Sequence, residues 1–240
     1  MNNLDVIYNE ILSLDKSFND VSMIDKQLIY EFLENLKCIM FPNIYKSKIS
    51  IRRLYIETKE LFEEINVEEN ILNPFFNKLI DVKTVLLKDI EMFLKKDPAC
   101  ESKEEVVLSY NSFYAIFIYR ISHLLYILNV PYIPRILTEY AHSKTGIDIH
   151  PACIIDEGFF IDHGTGIVIG ETTIIGKNVS IYQGVTLGAK SLDNTYALKG
   201  KKRHPTINDN VTIYANAVIL GGSTIIESNS IVPCNSLITK

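Results

Sequence analysis

The sequence predicts an α+β protein with two domains, an all-helical N-terminal domain at residues 1–145 and a parallel β-helix at residues 146–240. Apolar residues recur at helical spacing up to about residue 145, and after Gly146 they recur at every sixth residue. A helix gives steps of three and four, whereas a strict six-residue repeat of β-branched residues is typical of a β-helix. A sandwich of short strands would not explain the fixed period.

Six helices are predicted in the first domain. Apolar residues fall at steps of three and four in DKQLIYEFLENLKCIM, as at Leu28, Phe32, Leu36 and Ile39, and such residues share one helix face. The other helices are predicted at about 5–14, 51–65, 75–95, 110–128 and 133–143. Prolines at 42, 74, 98 and 131 separate them, because the residue before a proline disfavours helical backbone. Gly146 is suited to end the last helix.

The β-helix is predicted from three rows of residues spaced by six. The rows are Ile149, Ile155, Ile161, Ile167, Thr173, Val179 and Val185; then Ile169, Ile175, Ile181 and Leu187; then Ile207, Ile213, Ile219, Ile225, Ile231 and Leu237. Each short strand would add one side of a coil. The step from Leu187 to Ile207 is not a multiple of six, so an extruded loop is predicted at about 189–204.

Composition excludes several classes of protein. The chain has 47% hydrophobic and 22% charged residues and a net charge of −5, which indicates a globular protein without a nucleic-acid surface. The apolar segment FYAIFIYRISHLLYIL is interrupted by Arg120 and His123, so no membrane span is predicted. The N-terminus MNNLDVIYNE does not resemble a signal peptide, so a cytoplasmic location is expected. The four cysteines form no CxxC pair, so we predict no metal.

Four segments carry a resemblance to a known family. Together with the repeat, DIHPA at 148–152, IDHGTGIVIGET, YQGVTLGA and KKRHPTI resemble the serine O-acetyltransferases, which are hexapeptide-repeat acyltransferases. The similarity extends from about Leu94 to Pro233. It implies a left-handed β-helix with three strands per coil and a helical domain that assembles homotrimers into hexamers. It also implies acetyl transfer from acetyl-CoA to L-serine for cysteine biosynthesis, with L-cysteine as a feedback inhibitor.

His163 is the predicted general base. A serine hydroxyl that attacks a thioester must lose its proton, and a neutral imidazole is suited to accept it. Asp148 lies fifteen residues before His163, which predicts an adjacent side of the neighbouring coil, where the carboxylate could hold one ring nitrogen. The family assigns these roles to the matching positions. We interpret His150 as structural and assign no function to Tyr182.

The resemblance also implies the residues that bind the substrates. Arg203 and His204 would bind the carboxylate of serine, and Asp97 and Asp162 its ammonium group; an arginine fork matches a carboxylate. The residues expected to contact acetyl-CoA are Gly188, Ala189, Lys190 and Ala215, and the loop lysines Lys199, Lys201 and Lys202 could neutralise its phosphates. Gly188 and Ala189 match a Gly-Gly pair of the family, and the backbone N–H that would stabilise an oxyanion is retained with alanine.

Three alternatives remain open at this stage. The first is a hexapeptide acetyltransferase for a sugar or antibiotic hydroxyl, which would not need a carboxylate clamp. The second is a zinc enzyme of the β-helical carbonic anhydrase kind, which needs three histidines; His150, His163 and His204 lack the HxxxxH spacing of that family. The third is a non-catalytic assembly module. The sequence ends at Lys240, without the tail by which the family docks into cysteine synthase, so we do not predict that complex.

Overall fold

The computed structural model describes residues 3–14, 24–46, 49–190 and 200–239. In these residues seven α-helices precede thirteen short strands. The helices are α1 (Asn3–Leu14), α2 (Lys26–Met40), α3 (Ile51–Glu64), α4 (Leu72–Lys96), α5 (Lys103–Ser109), α6 (Asn111–Ile127) and α7 (Ile133–Thr145), with a 3-10 turn at Glu69–Ile71. No described helix is both long and apolar enough to cross a membrane.

The six predicted helices are confirmed, with corrections. A seventh, α5, was missed although its start carries a capping signal: Ser102 Oγ accepts the N–H of Glu105 at 3.1 Å, and Glu105 Oε2 accepts the N–H of Glu101 at 2.8 Å. Helix α4 begins at Leu72, because Pro74 lies in the first turn, where a missing N–H costs nothing. Gly146 ends α7 in left-handed backbone with φ of 71°.

The buried face of α2 differs slightly from the predicted one. It consists of Ile29, Phe32, Leu33, Leu36 and Met40, whereas Leu28 is exposed and Ile39 is only partly buried. Leu28 and Ile29 are adjacent apolar residues, and each lies three or four residues before a buried residue of the helix. Spacing alone therefore does not indicate which of the two is buried.

The strands form the predicted left-handed parallel β-helix. They are β1 (Asp148–Ile149), β2 (Ile154–Ile155), β3 (Phe160–Asp162), β4 (Val168–Ile169), β5 (Ile174–Ile175), β6 (Ser180–Tyr182), β7 (Thr186–Gly188), β8 (Thr206–Ile207), β9 (Thr212–Ile213), β10 (Val218–Leu220), β11 (Ile225–Ile226), β12 (Ile231–Val232) and β13 (Leu237–Thr239). The first sheet has the order β1-β4-β7-β10-β13, the second β2-β5-β8-β11 and the third β3-β6-β9-β12. Every pair is parallel, so the coil has three sides.

The inward-facing rows correct the predicted period in two places. Buried residues stack along the three sheets as Ile149, Ile169, Leu187 and Ile219; Ile155, Ile175, Ile207 and Ile226; and Ile161, Ile181, Ile213 and Val232. The corner after Ile161 contains two extra residues, so that Asp148 pairs with Val168. The predicted row that begins at Ile149 therefore matches the inward-facing strand residues only as far as Ile161, and the next of these residues is Ile169 and not Ile167.

The second correction concerns the last coil. One extra residue at Gly221-Gly222 moves the core from the predicted Ile225 and Ile231 to their neighbours. Ile225 and Ile231 are 44% and 67% exposed, whereas Ile226 and Val232 are 7% and 3% exposed. Leu237 is also exposed. Each of these strands carries apolar residues at both positions, so hydrophobicity could not reveal the shift.

Asparagine occupies many of the sharp corners of the coil. Within the described residues nine non-glycine residues have positive φ, and the only ones that are not asparagine are Tyr132 and His163. Asparagine tolerates left-handed backbone better than most side chains. At the corner between the second and third sheets, Asn178 donates to Asn210 and Asn210 to Asn229, each at 3.2 Å. These amides link successive coils.

A buried ion pair joins the helices to the first coil. Arg120 of α6 donates from Nε and Nη2 to the two oxygens of Asp89 of α4, each at 3.1 Å. Nη2 also donates to Asp156 O at 2.7 Å, and Asp89 Oδ1 accepts the N–H of Phe159 at 2.8 Å. Tyr119 adds a hydrogen bond to Cys153 O at 2.7 Å. Helices α4 and α6 therefore fix the backbone on which the candidate site is built.

Candidate functional site

The first group of predicted site residues lies at one edge of the coil, which we call the His163 corner. Here the third sheet turns into the first. Because the strands of the third sheet stack in register, the residues at the ends of β3 and β6 and directly after β9 and β12 form a column. The column consists of Asp162, Tyr182, Tyr214 and Pro233, and the next residues in the four coils are His163, Gln183, Ala215 and Cys234. Side chains of both columns line a groove of about 410 Å³ that starts at His163.

His163 is held by backbone geometry. Its φ is 58°, which turns the chain sharply, and its side chain is 72% exposed. Nε2 lies 3.6 Å from Asp162 Oδ1, which is beyond hydrogen-bond distance. Within the parts of the chain that the structure describes, the ring makes no hydrogen bond. One face of the imidazole is therefore open to a substrate in the groove.

Asp148 lies in the coil next to the segment that follows His163, where it pairs with Val168. The N–H of Gly166 donates to Gly146 O at 2.8 Å, and the N–H of Asp148 donates to Ile167 O at 2.9 Å. Gly164 packs against Ile147, where an added Cβ would meet the side chain at 2.5 Å. The described residues include no hydrogen bond between the carboxylate of Asp148 and the ring of His163. Backbone hydrogen bonds thus stack the segment of Asp148 against the residues that follow His163.

Asp97 is anchored at the same edge by helix packing. It follows the last residue of α4, and its carboxylate accepts the N–H of Ala99 at 2.8 Å and the hydroxyl of Tyr110 at 2.7 Å. Phe93 stacks edge-on against both Tyr110 and Phe160, with centroid distances of 5.3 and 4.9 Å. Because Phe160 belongs to the strand that ends at Asp162, these aromatic contacts bring Asp97 to the His163 corner.

The second group of predicted residues lies where the first sheet turns into the second, at the His204 corner. His204 is buried, and Thr172 fixes it: the N–H of Thr172 donates to Nδ1 at 3.1 Å, and the N–H of His204 donates to Thr172 Oγ1 at 3.0 Å. Burial, then the nearby Arg203, lowers the pKa of His204 to about 4. Its imidazole is therefore neutral at pH 7, with Nε2–H as the donor.

Arg203 is oriented by two contacts at this corner. Its backbone N–H donates to Thr172 Oγ1 at 2.9 Å, and its guanidinium forms an ion pair with Glu171. Sequence reasoning did not single out Glu171 or Thr172, although both belong to the IDHGTGIVIGET segment. Their contacts become visible only when β5 is stacked under β8.

The residues predicted to contact acetyl-CoA divide between the two corners. Ala215 lies in the His163 groove, whereas Gly188 ends β7 at the His204 corner, followed by the partly exposed Ala189 and the exposed Lys190. Lys199 lies outside the described residues. The ammonium of Lys202 faces the backbone and donates to Thr172 O at 2.6 Å and Pro205 O at 2.9 Å.

Other histidines have structural contacts. His150 Nδ1 accepts the N–H of Ala152 at 3.1 Å, and His123 Nδ1 lies 2.8 Å from Pro151 O. Burial lowers the pKa of both imidazoles. No cluster of three or more metal-ligating side chains occurs in the described part of the chain.

The two corners stand on opposite edges of the first sheet. In the second coil they are separated by about five residues of extended chain, which corresponds to roughly 15 Å. His163, Asp162, Asp97 and Ala215 are on one edge, and Arg203, His204, Gly188, Ala189 and Lys190 are on the other. One copy of the chain therefore brings each group together but does not bring the two groups into contact.

The chain is similar in sequence to several serine acetyltransferases. The chain is 49% identical over 148 residues to the plasmid-encoded serine acetyltransferase of Synechococcus elongatus, which covers 60% of this chain and 46% of the relative. It is 47% identical over 126 residues to that of Helicobacter pylori, covering 52% of this chain and 70% of the relative. The chain thus spans about half the length of the Synechococcus relative. No family model matches it.

Solved structures show the same resemblance over a longer part of the chain. Serine acetyltransferase isoform 3 of Entamoeba histolytica, in complex with cysteine, superposes with a TM-score of 0.75 and 31% identity, covering 96% of this chain and 86% of that one. A serine acetyltransferase in complex with CoA gives a TM-score of 0.61 and 33% identity, covering 70% of this chain and 66% of that one. Each match is longer than either the helical part or the β-helix, so each includes residues of both.

Proposed function

The chain belongs to the serine acetyltransferase family, and from this premise we propose that it transfers the acetyl group of acetyl-CoA to the hydroxyl oxygen of L-serine. The observation that carries the proposal is the position of His163, an exposed imidazole on left-handed backbone at the head of a groove. A sugar hydroxyl is the second candidate acceptor; the Arg203 and His204 pair at the other corner favours an acceptor that bears a carboxylate.

The proposed chemistry needs one proton acceptor. Neutral His163 takes the proton of the serine hydroxyl as its oxygen attacks the thioester carbon. The tetrahedral intermediate collapses, the carbon–sulfur bond breaks, and the departing thiolate takes the proton back from His163. Asp148 orients the imidazole and stabilises its charged form. A backbone N–H at Gly188 or Ala189 stabilises the oxyanion.

The separation of the two corners supports an assembly in which neighbouring copies share each site. In a closed homotrimer the His163 corner of one copy would face the His204 corner of the next, and rotation would generate three equivalent sites. Outward-facing apolar residues on the coil are available for such contacts, namely Ile154, Val168, Ile174, Ile225, Ile231 and Leu237. Serine would then be held by Asp97 and Asp162 of one copy, together with Arg203 and His204 of its neighbour.

Acetyl-CoA is the proposed co-substrate, with its pantetheine arm along the groove past Ala215. This chain is similar to a serine acetyltransferase whose structure holds CoA and to one whose structure holds cysteine. Because L-cysteine shares the ammonium and carboxylate of L-serine, we propose that it competes for the same site.

Serine-dependent thiol release is the first test of the reaction. With acetyl-CoA and L-serine both present, a colorimetric thiol reagent should record release of CoA that requires serine. Omitting serine is the control for thioester hydrolysis, and glucose is the control acceptor. Faster release with glucose than with serine would exclude the serine reaction.

Mixing two inactive variants tests the shared site. His163→Ala and Arg203→Ala each damage one corner, so each homotrimer should have little activity. When the two variants are refolded together in equal amounts, one interface in four would combine two intact corners. Activity should then recover to about a quarter of the unmutated level. Refolding each variant alone is the control. No recovery in trimers that contain both variants would mean that a single copy carries the whole site.

A further inference from the structure

Tyr182 is a groove residue without a role in the chemistry described so far. It ends β6 and pairs with Asp162 in the adjacent strand, so the two side chains leave the same corner from neighbouring coils, about 4.8 Å apart along the axis. Its ring lies beside that of Tyr214, with centroids 5.0 Å apart and planes at 31°. That contact restricts the direction of the ring.

The hydroxyl of Tyr182 has no hydrogen-bond partner in the part of the chain that the structure describes. Nothing in residues 3–14, 24–46, 49–190 and 200–239 forms a hydrogen bond with it, although the side chain is half-buried. Burial is the largest cause of a raised pKa of this hydroxyl, and the nearby carboxylates of Asp162 and Asp97 raise the pKa further. It is therefore a neutral phenol at pH 7.

The two carboxylates have no lysine or arginine partner in the described ranges. Among the described residues neither Asp97 nor Asp162 forms an ion pair with a lysine or arginine; Asp97 accepts the hydroxyl of Tyr110, and Asp162 lies near His163. Two carboxylates and one hydroxyl, none of them paired with a cation in the described part of the chain, therefore converge beside the candidate base. A primary ammonium group has three N–H donors, which matches three acceptors.

We propose that Tyr182 is a specificity-determining residue whose hydroxyl oxygen, together with the carboxylates of Asp97 and Asp162, accepts a hydrogen bond from the ammonium group of the acceptor. This inference rests on the proposed function and extends it, because it assigns recognition of the amino group to a tyrosine to which the family resemblance gave no role. The hydroxyl of Tyr110 is already donated to Asp97, so Tyr182 supplies the third acceptor. An acceptor without an ammonium group makes no use of Tyr182.

Tyr182→Phe is the decisive variant because it removes the hydroxyl and keeps the ring. Steady-state kinetics should show a KM for L-serine raised about tenfold, as expected for a lost hydrogen bond to a charged group. The KM for acetyl-CoA and kcat should change less than about twofold. The inhibition constant of 3-hydroxypropanoate, which has the hydroxyl and carboxylate of serine but no ammonium group, should not change. Tyr8→Phe removes an exposed hydroxyl from α1 and is the matched control.

Each other outcome has a defined meaning. A KM for serine within twofold of the unmutated value would overturn the role of Tyr182. An equal rise in the KM for acetyl-CoA, or weaker binding of 3-hydroxypropanoate, would also overturn it, because a general change in groove shape would then be responsible. If the unmutated protein releases no thiol in response to serine, the proposed function fails, and this inference fails with it. If the unmutated protein has serine-dependent activity and Tyr182→Phe leaves it unchanged, the proposed function stands and only the role of Tyr182 is excluded.

Discussion

Replacing His163 with alanine is expected to lower kcat by a factor of about 10² to 10⁴, the usual contribution of a positioned general base. The side chain is exposed and makes no hydrogen bond among the described residues, so its removal leaves no buried group without a partner. The proposed homotrimer should therefore remain intact. Thiol release under saturating acetyl-CoA and serine would measure the loss, and gel filtration would measure the assembly.

His142→Ala is a suitable control for this experiment. His142 is an exposed histidine of α7, with Nδ1 3.8 Å from the carboxylate of Glu139, and it belongs to neither corner. We expect its turnover to match that of the unmutated protein. If His163→Ala retains full turnover, the proton of the acceptor must be removed by another group, and the groove would need a different base.

Asp89→Ala should destabilise the fold by about 3–5 kcal/mol, the range expected when one member of a buried ion pair is lost. Asp89 is fully buried and binds the guanidinium of Arg120 through both oxygens. Its removal leaves a buried cation unpaired and frees the N–H of Phe159. Urea unfolding at a fixed protein concentration would measure the change, because an oligomer's apparent stability depends on concentration.

Glu91→Ala is the matched control, since it lies two residues further along α4. Its ion pair with Lys103, at 3.4 Å, is exposed, and exposed pairs contribute about 0–1 kcal/mol. The two losses should therefore differ by at least about 2 kcal/mol. Equal losses would indicate that the ion pair of Asp89 does not hold the helices against the first coil.

The repeat period predicted the class of the β-helix because each coil must place a residue in the same core. It could not predict where coils gain residues. Both Ile225 and Ile226 are apolar, so the register of the last coil depends on the extra residue at the Gly221-Gly222 corner. Similarly, α5 was missed because its seven residues, about two turns, are too few for a periodic pattern, although its capping residues could be recognised in the sequence.

The candidate site also combines features that the sequence could predict with features that it could not. The motifs predicted the candidate site residues, and Asp162 and His163 are adjacent in the sequence. The contact that brings Asp97 to them runs through Phe93, Tyr110 and Phe160, which are far apart in the sequence. The role of Glu171 as the partner of Arg203 depends on stacking across the extruded loop. Such pairings are set by tertiary structure, which local pattern does not encode.

The backbone at His163 has a consequence for how this position evolves. At comparable corners, such as Asn210 and Asn216, the coil uses asparagine at positive φ, and glycine or asparagine is also what the backbone favours at residue 163. Histidine is thus a poorer choice for folding there than either of them. Selection for stability alone would replace it. In the proposed mechanism selection for activity retains the imidazole, and any lineage that no longer needs the reaction should lose it early while keeping the coil.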